Sequence, residues 1–149
     1  YGSKEQPIDP GSGASGFPGG GVVRLDVAEK LTLNGEIVAD ASRWIGNQYG
    51  SAGSGGSVYV KARKLIGNGQ FSAGGGLSDQ GSYGYAAGGG GRVAVYTRRH
   101  DGWSGTLVAD GGYKQTSTTR VAVTEKAAAD GTTHFDMLPG PDQTVILVR

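Results

Sequence analysis

The densest chemistry in the chain is the run Tyr96-Thr97-Arg98-Arg99-His100-Asp101-Gly102-Trp103. Guanidinium groups form forked pairs with carboxylate or sulfate, and an indole beside them offers a flat face to a sugar ring or a cation. Arg98, Arg99 and Trp103 are therefore candidate ligand-binding residues, although such a string also suits an ordinary solvated turn. Four tyrosines among glycines, Tyr49, Tyr83, Tyr85 and Tyr113, make a second candidate set. Arranged as a column they would stack against sugars, and folded back they would cover a core.

The acids give a third set. Asp40, Asp79 and Asp110 lie in or beside glycine-rich stretches, where hard carboxylate oxygens suit calcium. No stretch carries the alternating acids of a dedicated calcium loop or the nonapeptide glycine/aspartate repeat, so calcium is the only cofactor in view and no cofactor is required. Asp40 and Asp110 occupy equivalent places, two stacked strands apart, which at about 4.8 Å per strand falls at the edge of an inverting glycosidase pair. The equivalent place between them is Gly74, and Ala-Asp at a strand end is a common turn starter. No catalytic residue is assigned. An enzyme would have to draw on Asp40, Asp110, Arg98 or His100.

Other chemistries find little support. The chain has two histidines and no cysteine, so a zinc site would need carboxylates and a thiol nucleophile is ruled out. No Gly-x-Ser-x-Gly elbow leads from a strand into a helix. The Gly-x-Gly-x-x-Gly strings precede no helix that could hold a phosphate.

What positions these residues is a repeat. Three related segments begin at Gly19 (GGGVVRLDVAEKLTLNGEIVADA), Gly53 (GSGGSVYVKARKLIGNGQFSAGGG) and Gly88 (GGGGRVAVYTRRHDGWSGTLVADGG). Val23, Val58 and Val93 are 35 residues apart, and Gly35, Gly69 and Gly105 are 34 and 36 apart; such self-similarity marks a repeat architecture. Each unit holds an alternating strand, a turn at Asn34-Gly35, Asn68-Gly69 or Ser104-Gly105, and a second short strand. The expected fold is all-β: a repeat-built β-solenoid, similar to a parallel β-helix, with Gly-rich loops. Val23, Val58 and Val93 would form one internal ladder, and Ile37, Phe71 and Leu107 another. The alternative is an antiparallel β-sandwich or jelly roll in which each unit is a hairpin. Residues 1–18 are expected to be a flexible linker, 19–112 the three repeats, and 113–149 capping strands, with strand candidates around Val121 and Val123 and at Val145 to Val148.

Composition agrees with a folded domain. The chain has 149 residues, 30 of them glycine, yet no Gly-X-Y period, which excludes collagen, and its apolar residues are gathered into alternating runs, which argues against disorder. A formal net charge of +1 implies no nucleic-acid partner, and no apolar run approaches the roughly 18 residues of a membrane helix. The chain starts at Tyr1 without a methionine or a visible signal sequence, and is expected to be a piece of a longer or processed protein.

The segment GGSVYVKARKLIGNGQFSAGGG followed by AAGGGGRVAVY resembles the glycine-rich repeats of very large secreted and surface-attached, adhesin-like bacterial proteins. The likeness spans about Gly19 to Gly112; the first unit departs from it at DASRWIGN, and the last third does not match. It implies an extracellular or cell-surface location, neighbouring domains, and contact with polysaccharide or surface glycans. The expected function is a non-catalytic structural or adhesive module, with a polysaccharide lyase or glycoside hydrolase fragment as the alternative. An ice-binding surface would need a flat threonine array, and Thr116, Thr118, Thr119, Thr132 and Thr133 fall outside the repeats.

Overall fold

A computed structural model describes residues 2–15, 17–42, 50–78, 86–115, 123–126 and 128–138. Among them are strands β1 (Val22–Thr32), β2 (Glu36–Val38), β3 (Ser57–Ile66), β4 (Gln70–Ser72), β5 (Arg92–Arg99), β6 (Thr106–Val108), β7 (Tyr113–Gln115), β8 (Val123–Lys126) and β9 (Thr132–Met137), and no helix. The first strand of each unit joins a four-stranded sheet, β1-β3-β5-β9, and the second joins a three-stranded sheet, β2-β4-β6. Every pairing in these two sheets is parallel. Among the described strands, β7 and β8 alone pair antiparallel.

This corrects the expected fold class. The described residues form two separate parallel sheets of four and three strands, with no closed solenoid. An antiparallel sandwich or jelly roll is not formed either, because the two strands of a unit lie in different sheets instead of closing a hairpin. A repeat period dictates which residues align across units. It carries no information on how many sheets result or whether they close.

The core lies between the sheets. Val23 aligns with Val58 and Val93, and Leu25 with Val60 and Val95; on the facing sheet Ile37 aligns with Phe71 and Leu107. Val58, Val60, Phe71, Val93 and Val95 are fully buried, while Val23, Leu25, Ile37 and Leu107 at the margins are only partly covered. A unit with neighbours on both sides buries its apolar row; an end unit does so on one side only. The alternation that makes each strand inward-apolar is the period of 2 dictated by the pleat.

The glycines explain how the units approach so closely. Gly20, Gly55 and Gly90 occupy equivalent places. A Cβ on them would overlap the carbonyl oxygens of Ala39, Ala73 and Ala109. Those carbonyls accept hydrogen bonds from the N–H groups of Gly56, Gly91 and Gly131, at 2.8, 2.7 and 2.7 Å. Each bond ties the end of a second strand to the start of the next unit, and a side chain would stand between donor and acceptor. The Asn-Gly and Ser-Gly turns differ from the hairpin turns their residues suggest. The glycines with left-handed φ in this region are Gly67 (112°) and Gly102 (101°), not Gly69 or Gly105. Gly69 and Gly105 are required because a Cβ would meet the carbonyl oxygens of Gly35 and Gly69 below them.

Both ends of the chain make contacts with the four-stranded sheet. Pro7 is fully buried and Phe17 nearly so. The Ser57 hydroxyl donates to the Asp9 carbonyl (2.6 Å) and the Tyr96 hydroxyl to that of Glu5 (2.8 Å). Glu5 and Asp9, in the stretch expected to be flexible, thus lie along the outer side of the four-stranded sheet. At the other end β9 extends that sheet by one strand, from a segment not recognised as a repeat because Thr133 and Phe135 stand where Val93 and Val95 mark the unit before it. Val123 lies in β8; Val121 and Val145 to Val148 lie outside the described residues.

Candidate functional site

A cleft of about 320 Å³ runs along the outer side of the three-stranded sheet, lined by Asp40, Gln70, Ser72, Asp110 and Tyr113, with Leu77 and Val108 as its apolar part. Its polar groups follow from the pleat: with Phe71 pointing into the core, its neighbours on β4, Gln70 and Ser72, must point out. Asp40 and Asp110 arrive from the ends of β2 and β6, and Tyr113 from the start of β7. The Tyr113 carbonyl accepts the Ser78 N–H (3.2 Å), which ties β7 back to the glycine segment after β4.

Asp40 is partly committed to the fold. Its Oδ1 accepts the Ser72 hydroxyl (2.6 Å) and the Gly74 N–H (2.5 Å). Gly74, the residue that interrupts the Asp40 and Asp110 positions, thereby becomes the donor that fixes the first of them. Removing two charge-assisted bonds should be expensive, since bonds to ionised groups contribute about 1.5–3 kcal/mol and neutral ones about 0.5–1.5. Asp40→Ala should therefore destabilise the chain by about 3 kcal/mol, and Asp40→Asn, which keeps an Oδ1 acceptor, by about 1 kcal/mol. Urea denaturation of the two variants checks this order; equal losses would mean that the carboxylate is not a structural acceptor.

The dense run from Tyr96 to Trp103 is spread over several places. The Tyr96 ring packs 5.8 Å from Tyr59 and 5.4 Å from His134. Burial, then the neighbouring Tyr59, Glu5 and Asp136, push its hydroxyl above the ordinary tyrosine value. Arg98 lines a different cleft, with Lys61 and Arg63. Arg99 lies 3.5 Å from Asp101, whose other oxygen contacts Lys64 at 3.2 Å; the Lys64 hydrogen bond is the main reason that the Asp101 carboxyl sits below its usual range. His100 meets the edge of Phe135 (5.5 Å). Trp103 packs its ring 5.6 Å from Phe71 against the core.

Of the residues singled out from sequence, Asp40, Asp110 and Tyr113 converge on one cleft, while Arg98, Arg99 and Trp103 do not line it. Tyr49, Tyr83, Tyr85 and Asp79 lie outside the described residues. Gln70 and Ser72 were missed, and strand alternation around Phe71 is the signal that could have found them. Among the described residues, no three or more His, Asp or Glu side chains gather as metal ligands, and no helix is long and apolar enough to cross a membrane. Comparison of the chain with protein-family models, with curated proteins and with solved structures returns no match.

Proposed function

We propose that this chain is a non-catalytic structural and adhesive module of an extracellular or cell-surface bacterial protein, of the glycine-rich repeat kind, that contacts glycans through the cleft beside the three-stranded sheet. The convergence of Gln70, Asp110 and Tyr113 on one cleft carries this reading. An amide, a carboxylate and an aromatic face are the groups that recognise hydroxyl-rich rings, combining polar placement with apolar contact. Stacked backbone bonds between units hold them on a rigid scaffold. Asp40, held by Ser72 and Gly74, is a poor candidate for a proton shuttle, and Arg98 and His100 lie away from it; both facts favour binding over hydrolysis or elimination. The hard oxygens of the cleft suit calcium as an accessory ion.

Affinity electrophoresis through gels loaded with neutral, uronic-acid and sulfated polysaccharides, each with calcium and with chelator, tests the reading. The expected outcome is retardation by at least one polymer, with Tyr113→Ala weakening it about tenfold. Release of new reducing or unsaturated ends from a retarding polymer would favour the enzymatic alternative. Migration unaffected by every polymer would remove the glycan assignment.

A further inference from the structure

On the other sheet, a cleft of about 250 Å³ gathers Lys61 and Arg63 from β3 and Arg98 from β5, with Asp26 as the one acid in its wall. We propose that this cleft binds an oxyanion, a sulfate ester or carboxylate carried on an acidic glycan. The proposal deepens the glycan-binding reading, on which it rests, by naming the class of glycan.

The charge distribution is the first argument. Three cations against one carboxylate concentrate positive charge in a chain whose formal net charge is only +1. Register is the second. Ala62 pairs with Thr97 and Lys64 with Arg99, which sets Arg63 beside Arg98 on neighbouring strands. Like charges placed so destabilise a sheet, and an anion bridging them relieves the repulsion.

The internal counter-ions are weak competitors. Arg63 meets Glu29 at 3.2 Å, but the two side chains are 60 and 77% exposed, and ion pairs this open contribute little. Lys61 leans over the Tyr59 ring, 5.5 Å from its centroid. Among the described residues no carboxylate pairs with Arg98. Ala28 adds no bulky side chain to the wall of the cleft, and the forked donors of the guanidiniums match sulfate and carboxylate oxygens.

The test measures binding of the whole chain to dextran sulfate, polygalacturonate and neutral dextran at low and high salt, for the wild type, Arg98→Gln and the double variant Arg63→Gln/Arg98→Gln. The wild type should bind at least one acidic polymer more tightly than neutral dextran, and lose that advantage in high salt. Arg98→Gln should weaken acidic-polymer binding about tenfold and the double variant further, with thermal midpoints unchanged or slightly raised, because both side chains are exposed and their mutual repulsion is removed. Acidic-polymer binding that is unaltered in the double variant, or no tighter than to neutral dextran, overturns the oxyanion site and leaves glycan binding standing. Binding to none of the three polymers overturns both.

Discussion

Gly55→Ala should lower the free energy of unfolding by about 3 kcal/mol or more, a cost at the upper end for overpacking a filled interior. The added methyl would overlap the Ala73 carbonyl oxygen and lie 2.6 Å from the Gly91 nitrogen. These two atoms are the partners of a 2.7 Å hydrogen bond. Both groups are backbone, so no side chain can swing aside; the strands must separate, and a buried donor and acceptor then lose each other. Gly21 is the matched control: a Cβ there meets nothing within 4 Å, and its φ is not left-handed. Gly21→Ala should be neutral or stabilising by about 0.4–1 kcal/mol, through loss of freedom in the unfolded chain. Urea denaturation of the pair decides the matter. Equal midpoints would show that the backbones are not packed as described.

Phe71→Ala should cost about 3–5 kcal/mol, the usual range for truncating a buried phenylalanine. Phe71 is fully buried at the centre of the three-stranded sheet, aligned with Ile37 on one side and Leu107 on the other. Its ring also supports Trp103. The cavity would thus open beneath three side chains from two units, and the neighbouring strands are pinned by backbone bonds that restrict collapse into it. Phe71→Leu, which retains most of the volume, should cost less than about 1.5 kcal/mol. Thermal unfolding measures the loss, and Trp103 emission should move to longer wavelength in the alanine variant only. An alanine variant as stable as the leucine one would place the core elsewhere.

These expectations differ in how far the sequence foreshadowed them. Phe71 was visible as an apolar residue in a second strand recurring at the repeat period, between Ile37 and Leu107. The clash at Gly55 was not: glycine in a loop equally supports a turn, a left-handed φ or a close approach, and only the positions of Ala73 and Gly91, distant in sequence, select the last. The same limit affects the cleft. Asp40, Asp110 and Tyr113 stood out as residue types, whereas Gln70 and Ser72 were concealed in a three-residue strand whose outward side has no meaning until Phe71 is buried. Trp103 and Arg98 looked like partners because they are close in the chain. The turn between them sends the indole towards Phe71 and leaves the guanidinium in another cleft.

By itself the sequence determined the all-β character, the repeat of about 35 residues and the residues that align across units, because a side-chain period of 2 and a repeat period are both properties of a linear string. The tertiary structure alone decided that the aligned strands form two separate parallel sheets, that Glu5 and Asp9 lie against one of them, and which polar groups share a cleft. Those outcomes depend on backbone groups from different units approaching to hydrogen-bonding distance, where the absence of a Cβ at one position matters only in relation to a carbonyl far away in the chain.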